Sequence, residues 1–390
     1  MSERVGVWII GAYGDVAVTA MLGARAIARG LAGSTGLVTE LPELKPLDLA
    51  PVANLVFGGC DVRQERVARR AWQIHRDHGV IPSPVLEAVA PELEGIDDVI
   101  SEGLAREAPA TASAARGTLR QAVGRVTEAI ARFRERASVE RVVVMNLAST
   151  EPPVPDSPAH HSLAAFEAAL DADDASAVSA SVLYAYAAMR AGCAYVNFTP
   201  SRGPRVAALG ELAHARRVPY CGSDGKTGET LVKTALAPMF VQRNLRVLAW
   251  LGYNLLGNSD GRVLADPAAR ESKLASKGNV LPAILGYSPD TKVGIEYVPS
   301  LTDWKTAWDF IHFEGFLGTR MAMQFTWQGC DSMLAAPLVL DLARLAELAL
   351  RRGEAGFMTH TACFFKEPIG VTEQSLPAQF QLLLDYASTA

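Results

Sequence analysis

Lysine is scarce in this 390-residue chain: of 37 Lys and Arg residues, eight are lysine and 29 arginine. Lys45 stands alone, while Lys226, Lys233, Lys273, Lys277, Lys292, Lys305 and Lys366 all fall between positions 226 and 366. Cysteine is sparse as well. Cys60, Cys193, Cys221, Cys330 and Cys363 make an odd, scattered set with no CxxC pair. That excludes a disulfide framework or a cysteine zinc site and suits buried thiols in a reducing compartment. There is no dense basic run, and with a net charge of −5 the chain does not read as a nucleic-acid binder. The pair His160-His161 has no third ligand nearby, so no metal is expected. Long apolar runs are missing too: 332–350 is interrupted by Asp341, Arg344 and Glu347, a core helix rather than a membrane span. The opening MSERVGVWII lacks a signal-peptide layout. A cytoplasmic, soluble globular enzyme of two to three domains is the expectation.

What is present begins with Val5 to Ile10, an apolar run with the look of a strand buried on both faces. Gly11-Ala12-Tyr13-Gly14-Asp15 turns it into an Ala-rich helix ending near Gly30. Strand, glycine turn and helix open a dinucleotide-binding βαβ unit, in which a pyrophosphate rests on the helix N-terminus. The full GxGxxG register is not met, and an ordinary glycine-bounded turn fits the same residues. A second buried strand, 54–57, runs into Gly58-Gly59-Cys60-Asp61. Asp61 is a candidate for the ribose hydroxyls, with a turn aspartate as the plain alternative.

Residues 84–138 read as helical, and a third apolar strand covers 141–146. It runs into Leu147-Ala148-Ser149-Thr150, small hydroxyl residues where such folds touch cofactor. An Ala-rich helix over 174–192 precedes a strand at 195–197, and the alternation implies a parallel sheet. After Pro219 the texture changes: strands over 245–253 and 292–298 suggest a mixed or antiparallel α+β layer, and helical periodicity returns at 333–352.

Five segments carry chemistry. Gly222-Ser223-Asp224-Gly225-Lys226-Thr227-Gly228-Glu229-Thr230 only resembles a P-loop, because Tyr220 stands where the first glycine belongs. Glycines and hydroxyls at a helix start, with Lys233 close behind, still make an anion cradle. Next come Asn254 to Gly261 and then Glu271 to Lys277, which sets Lys273 and Lys277 four apart on one helical face. Asp303-Trp304-Lys305 and Phe365-Lys366 complete the set.

LVFGGCDV, LASTEPP, YAYAAMRAGCAYVNFTP, GSDGKTGETLVK, YNLLGNSDG, SKLASK, VPSLTDWK, GCDSMLAAPLVLDL and FFKEP together give a chain that resembles the myo-inositol-1-phosphate synthase family nearly end to end. The resemblance implies an α/β fold: a discontinuous Rossmann-like NAD-binding domain, residues 1–220 with 331–390, and an α+β catalytic and tetramerisation domain, residues 221–330. It implies NAD as cofactor, a homotetramer, and an isomerase of inositol biosynthesis. That reaction converts glucose 6-phosphate to a cyclic inositol phosphate by oxidation at carbon five, enolisation, intramolecular aldol closure and re-reduction. Every intermediate carries charge on oxygen, which fixed ammonium groups stabilise.

Matched to the family, Lys226, Lys277 and Lys366 fall on catalytic lysines, with Lys305 and Asp303 beside them. Lys366 and Lys226 are expected at the carbon-five oxygen and its proton, Lys277 at the carbon-one oxygen or phosphate, and Lys233 and Lys273 at the phosphate. Asp303 would orient a lysine or the nicotinamide. Asn197, Asn258 and Asp260 match substrate-side polar sites. Gly11, Ala12, Tyr13, Gly14, Asp15, Asp61, Ser149, Thr150, Asp224, Asp331 and Ser332 fall on the cofactor side.

Three segments depart from the family pattern: GAYGD replaces a Gly/Asn-rich turn, VNFTP an Asn-Gly-Ser-Pro-like run, and Glu271 a basic residue. The last two motivate a paralogue that closes another sugar phosphate, such as fructose 6-phosphate, to a cyclopentane. An NAD-dependent dehydrogenase with net redox change is a second alternative, and a non-catalytic nucleotide-binding protein a third.

Overall fold

A computed structural model describes residues 4–104, 117–152, 155–176, 178–257 and 280–389. The chain begins β1 (Val5–Ile10), α1 (Asp15–Ala28), β2 (Leu55–Asp61), α2 (Val67–His78), α3 (Ser83–Glu94), β3 (Ile100–Glu102) and α4 (Leu119–Ala137). It continues β4 (Val142–Asn146), α5 (Leu163–Asp171), α6 (Ala180–Arg190), β5 (Ala194–Asn197), α7 (Ala207–Arg216) and β6 (Pro219–Gly222). Then come α8 (Glu229–Gln242), β7 (Arg246–Leu256), α9 (Val280–Leu285), β8 (Asp290–Tyr297), β9 (Trp304–Glu314) and β10 (Arg320–Cys330). Last are α10 (Asp331–Arg351), β11 (Gly356–Phe357) and α11 (Leu376–Ser388).

The first sheet has the order β11-β6-β5-β4-β1-β2-β3, with every pairing parallel. Side chains alternate between its faces, as a pleated strand requires. Val5, Val7 and Ile9 pack with α1, α2, α3, α10 and α11, while Trp8, Ile10, Val142 and Val144 pack with α4, α5, α6 and α7. This is the doubly wound arrangement, and the strand order reverses between β1 and β4. Helix α10 follows the second sheet in sequence yet returns to pack on α1.

The second sheet, β10-β9-β7-β8, pairs β7 with β8 in parallel and β7–β9–β10 antiparallel. Its inner face packs Val247, Trp250 and Ile311 against Ala237 and Phe240 of α8 and Leu281 and Leu285 of α9. Its outer face carries Tyr253, Trp308, Phe310 and His312 in a ladder of ring contacts.

Several expectations are corrected. The 84–138 stretch is not continuously helical. It holds the short strand β3, paired to the end of β2, and three residues at a sheet edge leave no periodicity to read. The 174–192 helix starts only at Ala180, because Asp173 takes a left-handed φ of 55° and closes a turn. His160 is buried against Asp156 and Arg202. The long hairpin β9–β10 and the closing helix α11 went unread.

Candidate active site

In an open parallel sheet, ligands lie beyond the carboxyl ends of the strands where the order reverses. Gly11 stands at that point. Its φ of 85° needs glycine, and a Cβ there would come within 3.0 Å of the Ala148 backbone after β4. The N–H groups of Gly11 and Ala12 both donate to the Cys60 carbonyl, which binds the turn to the end of β2. Gly14 then starts α1 with no side-chain cap, so first-turn N–H groups point into the crevice.

Asp61 ends β2. Its carboxylate accepts from the Tyr13 N–H at 2.9 Å and from the Arg63 guanidinium at 2.9 and 3.0 Å, and these partners hold it below the usual carboxylate range against the cost of burial. The Tyr13 phenol is pushed up to about 12, first by burial and then by Asp97. Asp15 is paired with Arg70 and lies 3.6 Å from His78. Ser149 is exposed and Thr150 half-buried just past β4.

The other end of the crevice is built by two crossing segments. Beyond β6, residues 222–226 run antiparallel to 364–369. Lys226 N–H donates to Phe364 O, Lys366 N–H to Asp224 O, and Ser223 and Glu367 exchange both bonds. The Lys366 ammonium reaches Asp224 Oδ1 at 2.8 Å. Lys226 is 2% exposed and donates to Gln379 Oε1 of α11. Burial first, and the Lys366 charge second, hold its ammonium down to about 8, with Cys363 opposing. Carbonyls of Phe198 and Thr199 accept from Gly225 and Asp224, so the VNFTP segment lies directly beneath this loop. A cavity of about 780 Å³ opens against Lys366, walled by Arg205, Tyr220, Val280, Phe357 and Ile369. Its volume lies in the range of small-molecule sites.

The second sheet approaches from the side. Lys305 on β9 sets its ammonium 3.6 Å from where a Gly228 side chain would begin, at the start of α8. Asp303 accepts from the Ser332 N–H at 2.8 Å and from Cys330 Sγ at 3.0 Å, and its carbonyl takes the Asp331 N–H. It thereby caps α10 and ties that helix to β9.

Two expected substrate contacts are placed elsewhere. Asn197 is fully buried; its amide donates to Ser201 O and accepts from Asn146, bracing the strand ends. Lys233 lies in a buried ion cluster with Glu229 and Asp309, because α8 turns that face toward β7 and β9. Lys273, Lys277, Asn258 and Asp260 lie outside the described residues. Unread in the sequence were Arg63, Gln379, Asp309 and the Arg205–Glu367 pair. Only Glu229–Lys233, four apart on one helix, left a signal. Among the described residues no cluster of His, Cys, Asp and Glu could hold a metal ion.

A doubly wound sheet with a glycine turn at its reversal point, flanked by a lysine-bearing loop, defines a Rossmann-like dinucleotide-binding enzyme. The family model described as myo-inositol-1-phosphate synthase, an NAD-binding one, matches residues 5–386. The inositol-3-phosphate synthase 1 of Bacteroides thetaiotaomicron is 35% identical over 388 residues, covering 94% of this chain and 90% of that protein. The inositol-3-phosphate synthase of Spirodela polyrhiza is 34% identical over 78% of this chain, which spans only 62% of that longer protein. The crystal structure of inositol-3-phosphate synthase from Caenorhabditis elegans superposes with a TM-score of 0.86 at 23% identity, over 100% of this chain and 86% of that one, a likeness of fold. The chain belongs to the myo-inositol-1-phosphate synthase family, an enzyme of the isomerase type with NAD as cofactor.

The residues present fit that cofactor. The uncapped α1 N-terminus suits a pyrophosphate, and the Gly11 turn lies too close to Ala148 for any side chain. Ser332 Oγ, at the start of α10, is buried with no hydrogen-bond partner among the described residues.

Proposed function

We propose that this chain cyclises glucose 6-phosphate to a myo-inositol phosphate with no net redox change. The observation that supports it most is the crossing of 222–226 with 364–369, which sets Lys226 and Lys366 on adjoining segments. The chemistry that NAD would supply, held at the Gly11 turn and the start of α1, is reversible hydride transfer. The chain's own residues do the rest. Lys366, an ammonium oriented by Asp224, faces the carbon-five oxygen and stabilises the charge that develops there. Lys226, with its pKa near 8, carries the proton removed on enolisation. Lys305 and the start of α8 form an anion cradle for the phosphate. The family resemblance adds Lys277 at the carbon-one oxygen and Lys273 at the phosphate. Asp303 and Ser332 hold the start of α10 on the cofactor side. In this reading residues 1–220 with 331–390 carry NAD, and 221–330 complete the catalytic site.

Incubation with NAD and glucose 6-phosphate is expected to yield an inositol phosphate by NMR with almost no NADH absorbance. Stoichiometric NADH would instead identify a dehydrogenase. A second reading rests on the position of Phe198 and Thr199 under the lysine loop. There the departure from the family segment touches the site itself, as it would in a paralogue selecting fructose 6-phosphate. Supplying both hexose phosphates and resolving the ring size of the product separates the two.

No described helix is long and apolar enough to cross a membrane. On the second sheet Tyr253 is 43% and Trp308 38% exposed within the aromatic ladder. We infer that a further copy of the chain covers this face, in a homotetramer. Trp308→Glu is expected to shift the sedimenting species to a smaller one; an unchanged sedimentation coefficient would exclude this face.

A further inference from the structure

Lys233 belongs to the same basic set, and its surroundings are unlike those of Lys226, Lys305 and Lys366. Its ammonium donates to Glu229 Oε1, one turn earlier on α8, and lies 3.5 Å from Asp309 Oδ1 on β9. Asp309 Oδ1 also accepts from Trp250 Nε1 at 2.7 Å, and Glu229 Oε2 from Asn254 Nδ2 at 2.6 Å. Every member is buried: Lys233 8%, Glu229 3%, Asp309 0%, Asn254 1% and Trp250 1% exposed. The group rests on bare backbone at Gly252. A Cβ there would lie 2.4 Å from Glu229 Oε1, 3.0 Å from Lys233 Nζ and 3.1 Å from Asp309 Oδ1. Gly252 is the register partner of Asp309, so the fold leaves that space for the cluster.

Two carboxylates and one ammonium give the group a net negative charge. Burial pushes Asp309 up to about 6, with Lys233 opposing and Glu229 adding. Without the ammonium, two buried acids would face each other and one would have to protonate. An ammonium held between two buried carboxylates is not placed to follow a mobile phosphate.

The cluster joins the two halves of the lysine site. Glu229 is the first residue of α8, immediately after Gly228, whose other neighbour is Lys305 Nζ. Lys305 and Asp309 lie on the same strand, β9. Tying Glu229 to Asp309 therefore fixes the start of α8 against β9, and with it Lys305 against the loop that carries Lys226.

We propose that Lys233 is a positioning residue: a built-in cation that clamps the first turn of α8 to the second sheet and sets Lys305 beside the Lys226 loop, without touching the substrate. This rests on the reading of Lys226 and Lys305 as active-site groups.

The test is Lys233→Ala assayed with and without added methylammonium, whose charge fits the vacated position. The melting temperature of Lys233→Ala should fall, and kcat should drop about 10²-fold, the scale of misplaced catalytic groups. KM for glucose 6-phosphate should rise as well, because the displaced Lys305 and α8 start belong to the proposed phosphate cradle, so melting and rescue by the added cation carry the test. Methylammonium should restore both melting temperature and kcat, while acetamide, neutral and of similar size, should restore neither. A large rise in KM with unchanged melting and no response to methylammonium would mean that Lys233 binds the phosphate, and would overturn the proposal.

Should Lys233→Ala fail to fold, Glu229→Gln, Lys233→Met and Asp309→Asn combined remove every charge of the cluster. That variant has no carboxylates left to seat a cation, so it should fold and methylammonium should leave its kcat and melting unchanged; rescue of the triple variant by methylammonium overturns the proposal. If the wild-type enzyme does not turn over glucose 6-phosphate, the functional reading fails on its own. The melting arm still decides: rescue by methylammonium supports the clamp, and its absence overturns it.

Discussion

Lys226→Met is expected to lose turnover by about 10²–10³-fold, the scale of removing one preorganised donor, while melting no lower than wild type at pH 7. The second half of that expectation follows from burial. A fall in the Lys226 pKa from 10.5 to about 8 corresponds to about 3 kcal/mol of disfavoured charge at neutral pH. Methionine removes that cost but leaves Gln379 Oε1 without its donor, a penalty of about 1–3 kcal/mol. The two nearly cancel.

The sign with pH follows from linkage. Because the folded pKa lies below the unfolded one, the unfolded chain binds more protons between about 8 and 10.5, and this lysine's contribution to stability rises with pH there. Below about pH 8 its burial cost is fully present. Melting of wild type and Lys226→Met at pH 7 and pH 9.5 should therefore show the difference moving in favour of wild type at the higher pH. A pH-independent difference would mean that no ammonium is buried there. Lys226→Arg, which keeps charge but cannot give up a proton, should be as inactive as the methionine variant. Appreciable turnover in the arginine enzyme would rule out Lys226 as the proton carrier.

Lys366→Ala should also lose about 10²–10³ in turnover, with NAD binding unchanged. The separation is possible because the crossing that shapes the site is made by backbone. Lys366 N–H to Asp224 O and the paired bonds of Ser223 and Glu367 survive truncation of the side chain. What disappears is the ammonium 2.8 Å from Asp224, on a side chain that is 21% exposed and so open to a ligand. Equilibrium dialysis with NAD, alongside a turnover assay, measures both halves. Near-normal activity would remove Lys366 from the mechanism, and lost NAD binding would place it on the cofactor instead.

Strands β1, β2, β4 and β5 of the first sheet were legible because they are buried and read as apolar runs, as 5–10 and 142–145 do, whereas the short β3, β6 and β11 left no such run. The glycine turn was legible because only glycine tolerates the conformation at Gly11. The strands β9 and β10 were not. They alternate between a packed and an open face, and the open face carries Trp308, Phe310 and His312, so aromatic residues appear on both sides of the pattern. Helix α11 left no trace of its role, since the one residue that reaches the site is an ordinary glutamine, Gln379.

From the sequence alone came the α/β class, the dinucleotide turn and the small set of lysines on which the proposed chemistry rests, because each is recorded in local pattern or in residue type. Tertiary structure decided which lysines are exposed to ligand and which are internal counter-charges. Lys226, Lys233 and Lys366 look alike in the chain. Their different roles come from partners 153, 76 and 142 residues away, Gln379, Asp309 and Asp224, and pairings across such separations leave no local mark.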